Sequence, residues 1–318
     1  MAYSEYLLGK RERMTWVAET SFGAGGTMTA GDVVGLNCTL TPSFAWGWQE
    51  VMSAGADVRY LEEKVAGAKL LPFTMNFVPV NWKFLKYLMS CVDGGAPSVY
   101  THTFSVPMGL PGSFKLEWAR RHTTAHVLTL TGGTLKSATI NFSKPTAAEG
   151  FVTVDAECVA KDCAESSSVT SVSSIPDTPV PFQFRHVKLT INSAEIVEVN
   201  SGNIKIDNGI EEDDSRYCNA TADNLLSEPI PKVFRVSGTF NINVKDKTFW
   251  TFWAAAAEVS SCKLEFLRGS DDKMVITFNG FRIENPESAT NLEGVTNLDL
   301  AWTAESIAPV ATDAVATY

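Results

Sequence analysis

The chain contains four histidines, His102, His122, His126 and His186, and six cysteines, Cys38, Cys91, Cys158, Cys163, Cys218 and Cys262. These bound the chemistry it could perform. His122 and His126, in RRHTTAHVLTL, have the i, i+4 spacing that converges on a metal ion when the segment is a helix. This segment runs into β-branched residues that favour a strand, so two surface or edge histidines are the expectation. No pair of cysteines forms Cys-x-x-Cys, and several alternate with apolar neighbours, where a thiol behaves as a small apolar side chain. With so few histidines no nucleophile and base pair can be assembled, so no catalytic residue, metal or cofactor is expected.

Two further stretches fail as ligand sites. GAGG at 23–26 lacks the Gly-Lys-Ser/Thr of a phosphate loop and reads as a joint. The acidic run Glu211, Glu212, Asp213 and Asp214 does not place oxygen ligands at alternate positions around a glycine, as calcium loops do. It suits a solvated loop tip, a charged lining or a docking surface for a basic partner. Net charge is −10, and it is uneven: residues 1–162 carry 14 basic and 14 acidic groups, residues 163–318 carry 12 and 22. Such a balance disfavours holding nucleic acid, which needs clustered Lys and Arg to release counterions from phosphates.

The elements that must position these residues begin with composition. At 318 residues, 45% hydrophobic and 19% charged, the chain can bury a large core and accommodate two domains. Its first 26 residues place charge directly after Leu8 and lack the apolar core of a secretory signal, giving the expectation of a cytoplasmic protein or a particle assembled there. The longest weakly polar run, 248–259, is too short to cross a bilayer, and no membrane partner is expected.

The strongest organising signal is a repeat. SFKLEW (113–118) returns as SCKLEF (261–266), 148 positions later. Upstream, the strand-to-helix pattern FTMNFVPVNWKFLKYLMS (73–90) matches GTFNINVKDKTFWTFWAA (238–255), offset by 165, so that FLKYL (84–88) aligns with FWTFW (249–253). Asn81 and Asp246 precede those helices as N-caps. Downstream, EGFVTVDA (149–156) matches EGVTNLDL (293–300), offset by 144. The larger insertion falls in residues 92–112 and reads as an added hairpin, and 163–181, rich in Ser, Thr and Pro, reads as a linker. The expected organisation is an N-terminal arm (1–30), a first copy (31–162), a linker (163–180), a second copy (181–305) and a C-terminal tail (306–318). Each copy is mainly β, sandwich-like, with one flanking α-helix.

Two long loops, 43–67 and 209–231, occupy corresponding places. Loops this long are usually functional or disordered, and apolar side chains such as Trp46, Trp48, Tyr60, Leu61, Leu225 and Leu226 are poorly suited to staying solvated. They are candidate contacts between subunits or between stacked rings; equally, the aromatics could cap their own domain's core.

The order of ETSFGAGGT (19–27), YTHTFSV (100–106), GGTLKSATINFS (132–143), GFVTVDAECVAKD (150–162), FQFRHVKLTIN (182–192) and IKIDNGIEED (204–213) resembles the tail tube proteins of long-tailed bacteriophages, in their tandem-domain form. That resemblance implies a structural virion protein, without an active site, that stacks in rings to form the hollow tail through which DNA is ejected. It implies trimeric, pseudo-hexameric rings, although six-chain rings with one copy on the exterior would also accommodate the duplication. Implied partners are other copies of the chain, a tape measure protein, a tail tip or initiator complex and a tail terminator, with assembly in the host cytoplasm. DNA would pass only transiently, through a lumen whose acidic wall shares its sign; Glu211 to Asp214 are candidates for that wall or for a loop tip. The rival reading is a tandem β-sandwich that binds carbohydrate or decorates a virion, with Trp46 and Trp48 as an aromatic platform.

Overall fold

The computed structural model describes residues 12–51, 63–96, 99–120, 125–145, 150–170, 180–211, 225–243, 248–289 and 297–318. In the first half of the chain the strands are β1 (Glu12–Ala18), β2 (Asp32–Val33), β3 (Leu36–Pro42), β4 (Ala45–Val51), β5 (Glu63–Leu70), β6 (Pro72–Val78), β7 (Ser90–Ala96), β8 (Val99–Ser105), β9 (Phe114–Arg120), β10 (His126–Ser143), β11 (Thr153–Val159) and β12 (Asp162–Ser166). In the second half they are β13 (Val187–Ile191), β14 (Ala194–Ile196), β15 (Val199–Asp207), β16 (Ile210–Glu211), β17 (Ile230–Pro231), β18 (Arg235–Asn243), β19 (Cys262–Leu267), β20 (Lys273–Asn279), β21 (Arg282–Ala289), β22 (Asn297–Ala304) and β23 (Ser306–Asp313). The helix α1 spans Thr248–Ala254. The fold is mainly β, with antiparallel pairing throughout.

Both halves use one pairing scheme. In the first, β2-β1-β9-β10-β12 make one layer and β3-β6-β11-β10 the other; in the second, β14-β13-β19-β20-β23 and β15-β18-β22-β21 do the same. β10 serves both layers because it bends at Gly132 and Gly133. Gly132 has φ +64°, and a Cβ on Gly133 would lie 2.6 Å from the Phe114 ring, so the corner has room only for glycine. In the second half Gly280, at φ +62°, breaks the corresponding run into β20 and β21. Bulges fall at matching places, between Leu135 and Ser137 and between Ile283 and Asn285.

The two halves then join. β10 pairs with β15 over seven residues, Ser137↔Asp207 to Ser143↔Ser201, giving one continuous eight-stranded surface in the order β3-β6-β11-β10-β15-β18-β22-β21. One hydrophobic cluster spans both halves, from Met14 to Ala311. Aromatic rings carry it across the junction: Phe142 lies 6.3 Å from Phe240 and 6.0 Å from Phe266, and Trp82 lies 5.0 Å from Phe182 and 4.9 Å from Phe266.

Several elements differ from the sequence expectation. The helix expected at 84–88 is a 3-10 turn, Lys83–Tyr87. Asn81 Oδ1 does accept the Lys83 N–H, at 3.1 Å, but Phe84, Leu85, Tyr87 and Leu88 are all buried and the chain enters β7 at Ser90. Core packing and that early strand leave no length for an α-helix. Asp246 lies outside the described residues. The added hairpin is β7–β8, and β8 extends the second half's layer by pairing with β23. Residues 163–166 of the expected linker lie in β12, and 306–313 of the expected tail form β23, whose Ile307, Pro309, Ala311 and Asp313 alternate inward. Loop 43–67 contributes β4 and β5, which pair as a two-stranded ribbon.

Candidate functional site

The eight-stranded surface has two faces of opposite character because its side chains alternate with period two. One face is the core: Leu40, Met75, Ala156, Ile140, Ile204, Val236, Phe240, Leu300 and Trp302 are buried there. The other is polar. The register aligns Thr39, Asn76, Asp155, Thr139, Lys205, Ser237 and Thr303 in one row across seven strands. A second row runs Asn141, Asn203, Thr239, Ala301 and Asn285. Amides tie the strands together: Asn141 Nδ2 donates to Asp155 at 2.7 Å, Asn203 to Thr239 at 2.8 Å and Asn241 to Asp299 at 2.6 Å, while Asn76 also donates to Asp155. Asp155, Glu157, Asp207 and Asp299 share this face with the bases Lys205, Arg235 and Arg282. It is a polar wall, mostly of hydroxyls and amides, with a modest acidic excess.

The surface ends in two unpaired edges, β3 and β21. Pro42 lies on the first and Pro286 on the second. Ser43 donates its N–H inward to Pro72 O at 2.9 Å, so Pro42 faces outward. Proline at an edge blunts indiscriminate strand addition while leaving every carbonyl available.

The described residues among those expected from sequence lie outside the eight strands of this surface. Trp46, on β4, is 44% exposed; Trp48 lies on the same strand. Tyr60 and Leu61 fall outside the described residues, as do Glu212, Asp213 and Asp214. Glu211, on β16, makes an ion pair with Lys232. Leu225 is half-buried, and Leu226 is fully buried against Val159, with Phe22 and Leu70 packed around them, so its contact is made within the chain. The acids of the polar face escaped the sequence reading because each is a single residue in a strand. The signal for them was the alternation in TINFS, VTVDAE, NIKID and TNLDL.

One group with metal-ligating types exists among the described residues: Cys91, Asp93 and His102 on the β7–β8 hairpin. Its geometry is that of a hydrogen-bonded lock. His102 is completely buried, its Nδ1 2.6 Å from Asp93 Oδ1, closer than the roughly 3.3 Å between two ligands of one tetrahedral zinc. Burial and the Asp93 carboxylate push the Cys91 thiol up to about 12, away from the thiolate that binds metal. Tyr318 stacks on the imidazole at 3.6 Å, its hydroxyl donates to Asp313 and its N–H to Asp93, while His102 Nε2 faces Asp313 at 3.4 Å. The C-terminus is thereby pinned to the hairpin. His126 sits in a strand with Nε2 2.8 Å from Glu165, an exposed pair; His122 is outside the described residues. No described helix is long and apolar enough to cross a membrane.

The chain matches no curated protein sequence. A family model described as phage tail tube protein matches residues 9–304. That span takes in every strand named above except β23, with the polar face and both open edges, and by it this chain belongs to the phage tail tube protein family.

Proposed function

We propose that this chain is a duplicated tube domain, three copies of which close into one pseudo-six-fold ring of a phage tail, with the polar face lining the channel for DNA. The observation that carries this is the β10–β15 junction, where the outer strand of the first copy pairs with the first strand of the second. β21 corresponds to β10, through the shared bulge and the pairing with β22, and β3 corresponds to β15, through β6 and β18. The free edges of one chain are therefore the two sides of a junction it already contains. A head-to-tail contact of that kind closes into a ring when its rotation permits.

Transferring the register predicts the contact between chains: Pro286 opposite Phe44, Glu287 opposite Ser43 and Ser288 opposite Pro42. The parity is consistent. Lys144 donates to Asn200 O and Asn208 to Lys136 O, so even-numbered residues exchange hydrogen bonds at the internal junction. In the transferred register Pro286–Phe44 and Ser288–Pro42 are the exchanging pairs, and each proline removes one of the two bonds. Three chains of eight strands give twenty-four, a barrel wide enough for an open channel. A wall of hydroxyls, amides and excess carboxylates offers phosphates no cluster of cations, so DNA slides without being trapped.

The tape measure, tip and terminator proteins are partners by the family's architecture, and assembly belongs to the host cytoplasm. The test is a disulfide between chains. Ser43→Cys with Glu287→Cys places two thiols at a non-hydrogen-bonded pair, roughly 4.5 Å between Cα atoms and within bridging range. Oxidation should give a ladder that stops at three chains, absent from either single variant. A monomer throughout, or a ladder running through six chains, would reject the trimer.

A further inference from the structure

The second half lacks a side chain that the first half has. In the first, the buried Trp16 ring lies 6.0 Å from that of Phe77 and 5.1 Å from that of Tyr87. Trp16 pairs with Leu116 of KLEW and Leu189 with Leu264 of KLEF, so Leu189 stands where Trp16 does. By the same repeat Ile242 stands for Phe77 and Phe252 for Tyr87. The smaller leucine leaves the place unfilled: a cleft of about 190 Å³ opens between the β13–β14 hairpin, the end of β18 and α1, and Ile191, Ile196, Ile242, Phe249 and Phe252 line it. Two carboxylates, Glu195 and Glu198, line it as well, and its described lining holds no lysine or arginine. Lys188, which pairs with the exposed Glu195 at 2.9 Å, stands outside that lining. The cleft is thus an apolar place of the kind an indole fills in the first half, with an acidic side.

We propose that this cleft seats the tyrosines of residues 1–11 of a second copy of the chain, in the next ring of the stack. The proposal rests on the ring reading. Three segments outside the described residues carry tyrosine: 1–11 with Tyr3 and Tyr6, 52–62 with Tyr60, and 212–224 with Tyr217. Charge separates them. In 52–62 Asp57 and Glu62 outnumber Arg59, and in 212–224 Glu212, Asp213, Asp214 and Asp223 outnumber Arg216, whereas in MAYSEYLLGKR Lys10 and Arg11 outnumber Glu5. The acidic cleft favours the last and repels the other two. Direction agrees with charge. β1 begins at Glu12, opposite Arg120, and ends at Ala18, opposite Phe114, while the cleft lies at Ile191, the far end of the equivalent strand β13. Residues 1–11 therefore join the first half at the end of its layer opposite to the one the cleft occupies in the second, and in rings stacked in one direction those two ends meet. Tyr6 precedes Glu12 by six residues, roughly 20 Å of chain when extended, enough to carry the ring clear of its own layer. An aromatic side chain in an apolar cleft, with cations beside it facing carboxylates, is the form that dominant contact residues take.

The experiment titrates a fluorescent peptide of residues 1–11 into dilute full-length protein and follows its anisotropy. Binding should saturate, and it should weaken at least tenfold when the peptide carries Tyr3→Ala/Tyr6→Ala or the protein carries Leu189→Trp, which supplies the side chain of the first half to the cleft. Glu195→Lys should weaken it severalfold. Should Leu189→Trp melt early, Glu195→Lys, on the exposed hairpin, decides alone. No binding to the wild type, or binding indifferent to these protein variants, would overturn the proposal and leave the cleft to Trp46 of another copy or to another tail protein. Negative-stain images then compare full chains carrying Ser43→Cys/Glu287→Cys with and without Tyr3→Ala/Tyr6→Ala. The tyrosine variant should still cross-link to three chains but give single rings in place of tubes; tubes of normal length would overturn the proposal. A parent chain that fails to cross-link would sink the ring reading, and with it the stacking, while the peptide titration still reports whether the cleft binds the segment.

Discussion

Phe142→Ala probes the junction between the two halves. Phe142 is 2% exposed, sits on β10 opposite Gly202 of β15, and its ring touches Phe240 and Phe266 of the second half. Truncating a buried phenylalanine costs about 3–5 kcal/mol, depending on how far the site can collapse. Here collapse is poor, because the residue opposite is a glycine with no side chain to move in, so about 4 kcal/mol is expected. With a urea m-value of roughly 3 kcal/mol/M, suited to a chain of this size, the midpoint falls by about 1.3 M. The assay is urea unfolding of dilute, unassembled protein, followed by tryptophan fluorescence and far-UV circular dichroism. Because one core crosses the junction, both signals should shift together in a single transition. A second transition at the wild-type midpoint would mean that the halves are independent domains merely touching, and the reasoning from the shared sheet would fail.

Gly202→Ala should cost about 1–3 kcal/mol, since the new Cβ would sit 2.6 Å from Phe142 and 2.8 Å from Phe240; the loss should shrink when Phe142 is already alanine, a coupling that paired melts would read. Asp93→Asn tests the C-terminal lock. Burial raises the Asp93 carboxyl, but hydrogen bonds from His102, the Tyr318 N–H and Cys91 outweigh it and hold the group below its usual 3.8. A depressed acid stabilises the fold above its unfolded value and loses that contribution as pH falls through the folded one. The melting-temperature gap between wild type and variant should therefore be full from pH 7 to 5 and close below about pH 4. Thr74→Lys with Thr239→Lys places cations on the polar face. Tubes of this variant should retain duplex DNA at low salt and release it at high salt, where wild-type tubes retain none, as a filter-binding assay would show.

What the sequence makes legible and what it hides follow from physical range. Strand alternation is local, so the strands carrying KLEW and KLEF, the β7–β8 hairpin and the mainly β class were readable directly. The 3-10 turn at Lys83–Tyr87 was not, because FLKYL has a good helical pattern and only its burial in the folded core and the start of β7 at Ser90 decide its form. Residues 306–313 read as a tail because IAPVATD, with its proline, is a weak strand on its own; the partners β20 and β8 make it β23. The polar face was hidden for a related reason. Asp155, Asp207 and Asp299 are scattered through the chain and form a wall only once the register is known, whereas the contiguous run Glu211–Asp214 drew attention by its density alone. Leu226 illustrates the converse: an apolar side chain in a long loop can be claimed by its own chain, here by Val159.

The central claim is that the free edges β3 and β21 are two halves of one junction. The most direct measurement is an electron cryomicroscopy map of the assembled ring at a resolution that separates strands. The account predicts three chains per ring, with β21 of each lying about 4.8 Å from β3 of the next, Glu287 opposite Ser43, and the row Thr39, Asn76, Asp155, Thr139, Lys205 and Ser237 facing the channel. Six chains per ring, or a β21 edge open to solvent in the assembled tube, would contradict it.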